Sequence, residues 1–241
     1  MIRACKRMPA LISLSLALLL AGSCRSQNDA PVTSNSTANT FVSATPPFQT
    51  REPERYRATR TLTNITASGQ TNVMKHAIAK DGELRRIEAE VVSVKMIFLF
   101  NPQGRFVLLP DEKVYMDQAE RPAPGAIDED ESSADRLLHT ESGTSSYQQL
   151  GTEVVSGRKT NKYLVVVNNA NAGNVSSSET LIWIDEALGM PIKSETKSSD
   201  GSRSTMEVSE LSLEVDKDLF QVPANYKKVA FSEIQRYLTP H

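Results

Sequence analysis

Short runs of alternating apolar and polar residues follow one another along most of the chain, with turn residues between them. Tyr56, Ala58 and Leu62 alternate with threonines, a period of two that indicates a half-buried β-strand. Asp81-Gly82 is typical of a hairpin turn between two further strands. The run Leu181 to Glu195 indicates another hairpin, in which Pro191 opens the second strand. The pattern therefore predicts an antiparallel sheet of about nine to eleven strands.

The strands predicted at residues 95–100 and 105–109 are apolar on both faces. An antiparallel sheet with one face in water would carry polar residues on that face, so we expect both faces to be covered. Helices could cover both sides, or one side could line an apolar cavity. Alternation separates Met96, Phe98 and Phe100 from Ile97 and Leu99 without showing which set faces a cavity. The candidates for contact with a hydrophobic ligand are Met96, Ile97, Phe98, Leu99, Phe100, Phe106, Leu108 and Trp183.

Helical patterns are short and few. Phe231, Ile234 and Leu238 lie on one side of a helix that stops before Pro240, and Ser133–His139 indicates a second helix. The acidic, proline-rich stretch from Asp117 to Ser133 predicts a surface loop, as does the polar stretch from Asn168 to Ser178. The fold class is therefore α+β, with two or three short helices beside the sheet.

Residues 1–23 are typical of a signal peptide, with basic residues before an apolar run at Leu11–Leu20. That run has about half of the roughly 20 apolar residues that a transmembrane helix needs. The sequence Ala21-Gly22-Ser23-Cys24 resembles the bacterial lipobox, which implies export and acylation of Cys24, although Ala21 stands where leucine is usual. An ordinary signal peptidase could also cut before Cys24 and leave a free thiol.

Residues 24–52 are rich in Ser, Thr, Asn, Ala and Pro and predict a disordered tether between Cys24 and a domain at residues 53–241. Cys24 is the only cysteine after residue 23, so the domain has no internal disulfide. Removal of the first 23 residues changes the net charge from −2 to −5. A mildly acidic protein argues against a nucleic-acid partner.

No pattern in the sequence indicates catalysis, a metal or a cofactor, and we expect no enzyme. Asp128–Glu131 are consecutive acids without the ligand spacing of a calcium loop, which favours a solvated loop. His76, His139 and His241 are scattered and lack partners at metal-ligand spacing. Trp183 and Tyr163 fall on neighbouring strands, where packing is a more common role than ligand binding.

Four short motifs, in their order and spacing, resemble the LolA/LolB-like lipoprotein-sorting group, especially its uncharacterised lipoprotein branch. The resemblance implies a strongly curved antiparallel sheet, an incomplete barrel, whose apolar face is lidded by helices and can hold acyl chains. The resemblance implies no catalytic residue in this chain. The chain lacks a clear amphipathic helix before Tyr56, so the lid is expected to be reduced. The motifs are Pro110–Met116, Gly151–Gly157 ahead of Lys162-Tyr163, Leu181–Lys193 and Leu219–Tyr226.

The leading hypothesis is a monomeric, lipid-anchored protein on the periplasmic side of the bacterial outer membrane. Arg25 after Cys24 favours the outer membrane, and an anchored protein suits a receptor or resident binder better than a shuttle. The ligand would be a lipid or the acyl chains of a lipoprotein, with no charged anchor for a headgroup evident in the sequence. The rival hypothesis is an envelope interaction or stress-sensing domain with the same fold and a filled core.

The first prediction concerns Cys24. Replacing Cys24 by serine should move the protein from the membrane fraction into the soluble periplasmic fraction without unfolding it, because the acyl chains would be lost. Fractionation and thermal melting measure the two effects. Sedimentation of the variant with membranes after a salt wash would show that something other than an acyl anchor holds the protein.

Overall fold

A computed structural model of the protein describes residues 42–91, 93–120, 144–171 and 174–238. Cys24, the expected signal peptide, the acidic run Asp128–Glu131, the expected helix Ser133–His139 and His241 lie outside the described residues. The described strands are β1 (Val42–Ser43), β2 (Arg55–Ile65), β3 (Thr71–Asp81), β4 (Leu84–Val91), β5 (Val94–Asn101), β6 (Gly104–Leu109), β7 (Val114–Asp117), β8 (Thr144–Val155), β9 (Arg158–Asn171), β10 (Asn174–Asp185), β11 (Pro191–Ser198), β12 (Arg203–Ser212) and β13 (Lys227–Lys228). They are accompanied by helix α1 (Phe231–Leu238) and by 3-10 turns at Gln118–Glu120 and Lys217–Phe220.

The strands form one curved sheet in the order β1-β8-β9-β10-β11-β12-β2-β3-β4-β5-β6-β7-β13. Two meanders, β2 to β7 and β8 to β12, are joined by antiparallel pairing of β12 with β2. The short strand β13 pairs with β7 in parallel, whereas the other described pairs are antiparallel. In this order β1 and β13 are the two edges, so the sheet is not closed.

The predicted curved antiparallel sheet is confirmed, but the structure is more sheet-dominated than α+β with a few helices. The prediction of a polar loop at Asn168–Ser178 is wrong. Strand β9 continues to Asn171, β10 begins at Asn174, and the two strands are paired up to these residues. Asn and Ser have low strand propensity, but each added pair extends a ladder that the apolar residues nearer Leu181 have already fixed. The α-helix predicted from Phe231, Ile234 and Leu238 is confirmed.

Strand register divides the side chains between two faces of the sheet, because residues directly opposite one another point to the same side. We call the side covered by α1 the helix face and the other side the opposite face. From β2 to β7 the helix face carries one row of directly opposed residues: Ala58, Ile78, Ile87, Phe98, Val107 and Met116. From β9 to β2 it carries Tyr163, Ile182, Ser194, Met206 and Leu62.

Three apolar clusters lie side by side on the helix face. The first spans β8 to β10 and includes Tyr147, Tyr163 and Ile182. The second joins β2 and β3 to β11 and β12 around Ile78 and Met206. The third lies on β4 to β7, where Ile234 of α1 packs into it. The helix face is therefore apolar from one meander to the other.

The opposite face of β5 and β6 is covered by residues 215–226. Val215 and Phe220 from this segment are buried against Leu99, Leu108 and their neighbours. Side chains of the sheet also donate hydrogen bonds to carbonyl oxygens of residues 215–226. The Arg55 Nη2 atom donates to the Val215 carbonyl at 2.5 Å. Asn101 donates to the Phe220 carbonyl at 3.0 Å and Arg86 to the Leu219 carbonyl at 3.2 Å. Both faces of these strands are covered, as their composition predicts.

Trp183 lies on the opposite face, in the part of the sheet formed by β8 to β11. It is directly opposite Lys162 on β9 and Lys193 on β11, whose ammonium nitrogens are 4.5 and 4.7 Å from the indole ring centroid. Its Nε1 donates to the Glu153 carboxylate at 2.9 Å. Although only 3% of Trp183 is exposed, the cover consists of lysine side chains and not of an apolar layer.

The second prediction concerns this indole. Trp183→Ala should lower the free energy of unfolding by about 3 kcal/mol, the lower end of the range for buried tryptophan, because flexible lysines can partly close the gap. Urea denaturation measures the loss. Val154→Ala on β8, at a side chain that is 69% exposed, is the control and should change stability by less than about 0.5 kcal/mol.

Candidate functional site

The structure divides the eight candidate ligand contacts between the two faces. Met96, Phe98 and Phe100 belong to the helix-face cluster beneath α1. Ile97, Leu99, Phe106 and Leu108 belong to the cluster beneath residues 215–226. Trp183 stands apart from both, between its two lysines. The helix face is the better candidate site, because its three apolar clusters are adjacent and extend across both meanders.

A segment before β2 lies across the helix face, and we call residues Phe48–Glu52 the strap. At its start, Phe48 packs on two tyrosines, with ring centroids 4.5 Å from Tyr163 and 6.0 Å from Tyr147. Earlier still, β1 pairs with β8. Residues 42–52 thus belong to the fold, whereas the sequence places them in a disordered tether that ends at residue 52. Their few apolar side chains gave no strand or helix period, so only contacts with distant strands order them.

Arg51 fixes the middle of the strap to the turn between β10 and β11. Its backbone N–H donates to the Gly189 carbonyl at 3.1 Å, and its Nε donates to the Leu188 carbonyl at 2.8 Å. Gly189 has a φ of +70°, and a Cβ atom there would be 3.1 Å from the Arg51 Cγ. Glycine is therefore required at this turn both for its backbone conformation and for the approach of the strap.

The strap ends in a carboxylate that is surrounded by donors from the sheet. Glu52 Oε1 accepts hydrogen bonds from the Tyr56 hydroxyl, at 2.5 Å, and from the Arg85 guanidinium. Its other oxygen, Oε2, lies 3.2 Å from the Lys80 Nζ. Tyr56, Lys80 and Arg85 are directly opposite one another on β2, β3 and β4, so the ladder itself holds the three donors in one row. This row adjoins the apolar row that begins at Ala58.

Burial and charge act in opposite directions on this group. Burial tends to raise the pKa of Glu52, but Arg85, the Tyr56 hydroxyl and Lys80 outweigh it, and the pKa lies below its ordinary value. Burial, and then the neighbouring Glu52 carboxylate, raises the pKa of Tyr56. At neutral pH the site therefore consists of an ionised carboxylate and a protonated phenol that donates to it.

Arg60 and His76 are directly opposite one another on the same face, next to the apolar row. Burial, followed by the positive charge of Arg60, lowers the pKa of His76, so this histidine is neutral at neutral pH. Its Nδ1 has no hydrogen-bond partner among the residues that the structure describes. The helix face thus contains basic side chains within a largely apolar surface.

The opposite face carries a cleft of about 520 Å³. Its walls include Arg57, Arg86, Glu88 and Glu210, while small side chains of β3, such as Ala77, form its floor. Glu210 accepts a hydrogen bond from the Thr59 hydroxyl at 2.6 Å. None of the eight hydrophobic candidates belongs to this lining. Four charged residues make the cleft a poor environment for an acyl chain.

Metal-binding clusters are absent from the described part of the chain, where no three His, Cys, Asp or Glu side chains converge. Within the same part, no helix is long and apolar enough to span a membrane. The sequence did not identify the Glu52 site. Lys80 and Arg85 flank the Asp81-Gly82 turn, and the alternation of the two strands places them on the same face as Ile78 and Ile87. This alternation was the signal in the sequence that basic side chains share the apolar face. Nothing in the sequence linked that face to Glu52.

No protein-family model and no curated protein matches the chain. Many solved structures are similar to it, and three of them, all at low identity, illustrate the likeness. A LolA superfamily protein from Nitrosomonas europaea is 11% identical, with 71% of this chain and 92% of that chain covered and a TM-score of 0.30. A putative outer membrane lipoprotein-sorting protein domain from Vibrio parahaemolyticus is 14% identical, with 71% and 91% covered and a TM-score of 0.29. MucB is 10% identical, with 72% and 59% covered and a TM-score of 0.41.

LolA-like proteins thus stand among the similar structures, as the sequence resemblance predicts. This chain spans 59% of the MucB chain and about nine-tenths of the other two. At these identities and TM-scores, the likenesses carry no argument about a ligand or about individual residues. The case for function therefore depends on the geometry of the helix face.

The third prediction concerns the Glu52 carboxylate. Glu52→Gln should lower the free energy of unfolding at pH 7 by about 2 kcal/mol, because it removes charged hydrogen bonds from partly buried donors. Because the pKa of Glu52 is lowered by folding, its stabilisation is complete above its unfolded pKa, near 4.5, and is lost as pH falls through the folded pKa. The difference between wild type and variant should therefore shrink near pH 3.

Urea denaturation at the two pH values tests this expectation. The matched control is Glu54→Gln, since the Glu54 side chain is exposed and its carbonyl oxygen, which the substitution keeps, accepts the hydrogen bond from the Gly82 N–H. A stability difference for Glu52→Gln that stays constant from pH 7 to about pH 3 would contradict the assignment of an ionised carboxylate.

Proposed function

We propose that this protein is a lipid-anchored, periplasm-facing lipoprotein of the bacterial outer membrane, and that its helix face binds a lipid or the acyl chains of a lipoprotein. The observation that carries the proposal is the set of three apolar clusters side by side on the helix face, which extend from Tyr147 on β8 to Met116 on β7. Transfer of an acyl chain from water to such a face is favourable by roughly 0.8 kcal/mol per buried CH2 group.

The cover of the helix face supports binding because it can move without breaking the sheet. In the described part of the chain, this cover consists mainly of the strap and of α1, a helix of eight residues. A helix of this length is unstable in isolation and depends on its packing, chiefly through Ile234. The strap is attached by side-chain contacts and by one backbone bond at Arg51. A ligand can therefore replace either piece while every strand pair remains.

Location and anchoring are part of the same proposal. They rest on the signal-peptide pattern of residues 1–23 and on the lipobox-like sequence before Cys24. An apolar ligand that is almost insoluble in water must be collected near a membrane, so an anchored domain has access to it. We propose no catalytic role for any residue, and burial of apolar surface would supply the main driving force for binding.

The rival function remains an envelope interaction domain with a filled core. The observation in its favour is that all eight candidate residues are buried, with Leu99 and Leu108 completely inaccessible. The two functions differ in whether the cover on the helix face can be displaced. Charge substitutions at adjacent positions of β5 can separate them, because neighbouring side chains there face different covers.

The fourth prediction uses Phe98 and Leu99. Phe98→Glu should leave the protein folded and abolish binding of a fluorescent fatty acid, because α1 can move aside and let water reach the new carboxylate. Leu99→Glu should unfold the protein, because its charge would be trapped beneath residues 215–226. Thermal melting and probe titration measure the two effects.

Tyr237→Ala on the exposed side of α1 is the control and should retain both melting and binding. Lipid that co-purifies with wild-type protein would provide independent support. The outcome that favours the rival is unfolding of both charged variants together with no probe binding by wild type.

A further inference from the structure

We infer that the ligand of the helix face is an anionic amphiphile with a carboxylate head, and that Tyr56, Lys80 and Arg85 bind this head in place of Glu52. This inference rests on the proposed function and adds the chemistry of the ligand. The Glu52 carboxylate stands in for the head of the ligand in the structure described here. Its strap then acts as an internal competitor for the site.

The donors around Glu52 form a ready-made carboxylate site. Both carboxylate oxygens are engaged, Oε1 by the Tyr56 hydroxyl at 2.5 Å and by Arg85, and Oε2 by Lys80 at 3.2 Å. All three donors come from neighbouring strands, whereas the carboxylate comes from outside the sheet. The donors therefore keep their places when Glu52 leaves, and any carboxylate of similar size meets the same hydrogen bonds.

This row of donors lies at the edge of an apolar surface. The next row on the same face, two residues along each strand and so about 7 Å away, consists of Ala58, Ile78, Ile87 and Phe98. An acyl chain whose carboxylate replaced that of Glu52 would lie along this row. Charged donors directly beside an apolar row suit a fatty acid or another lipid acid better than a neutral lipid.

Leaving the donors without an anion is costly. Arg85 is only 6% exposed, and departure of Glu52 removes a charged hydrogen bond from its guanidinium, a substantial cost at a buried group. Departure of the strap for a neutral ligand would carry this cost, whereas an anionic ligand supplies a new partner. Exchange of one carboxylate for another thus opens the helix face with the smallest loss of charged hydrogen bonds.

The experiment compares dodecanoate with dodecanol, two probes with the same chain and different heads. Affinities are measured by displacement of a neutral fluorescent probe from the full folded domain at pH 7. Added to Glu52→Gln, which removes the internal competitor, Lys80→Gln should weaken dodecanoate binding about tenfold and leave dodecanol binding unchanged. Lys75→Gln is the matched control, because Lys75 is exposed on the other face of the same strand and should change neither affinity.

Glu52→Gln tests the competition from the other side. By itself it should tighten the binding of both probes about tenfold, because neither probe then has to displace a carboxylate from the donors. The change in both affinities tests the competition, and the dodecanoate-to-dodecanol ratio tests the donors. Tyr56→Phe removes one donor with little change in shape and gives a second test should Lys80→Gln fail to fold.

The outcomes separate the inference from the proposed function. Tighter binding of both probes by Glu52→Gln, together with a dodecanoate-to-dodecanol ratio that falls when Lys80→Gln or Tyr56→Phe is added to that variant, supports the carboxylate site. Equal binding of both probes in wild type and in every variant overturns the inference while leaving a hydrophobic binding function intact. Binding of neither probe by any variant overturns both.

Discussion

The apolar character of β5 and β6 on both faces is the constraint on which the rest of the structure depends. Burial of each leucine or phenylalanine there contributes roughly 1.5–3 kcal/mol, so the chain gains most by covering both sides. After β12, residues 215–226 cover the opposite face at Leu99. Strand β13 then passes along the edge of the sheet at β7. This crossing brings α1 to the helix face, where Ile234 packs near Phe98.

The two covers are held in different ways, and this difference gives the two faces different roles. Residues 215–226 combine buried apolar side chains with hydrogen bonds from Arg55, Arg86 and Asn101 to their carbonyl oxygens. The helix face has one short helix and a strap whose end depends on a single carboxylate, that of Glu52. The end of the strap is therefore held by polar contacts that another anion could make in place of Glu52, whereas residues 215–226 are held largely by buried apolar side chains. This is the physical basis for placing a ligand on that face.

The polar groups of the structure are segregated in a way that suits this division. On the opposite face, charged side chains surround Trp183 and line the cleft beside Glu210, where they meet water. On the helix face, Glu52, Lys80 and Arg85 satisfy one another inside an otherwise apolar surface. A buried ion pair of this kind adds little net stability, because desolvation offsets the attraction. The ion pair instead specifies that an anion lies at one defined position, beside Lys80 and Arg85.

The sequence by itself determined most of the strands and turns, the helix at Phe231–Leu238 and the two-sided burial of β5, because period and turn chemistry are local properties. It did not determine which side of β5 lies beneath α1, how far β9 and β10 extend, or where residues 42–52 go. Those features depend on pairing between residues far apart in the chain, such as β12 with β2. Glu52 shows the limit most clearly. It belongs to a stretch without periodicity, and only the register of β2, β3 and β4 brings Tyr56, Lys80 and Arg85 together around it.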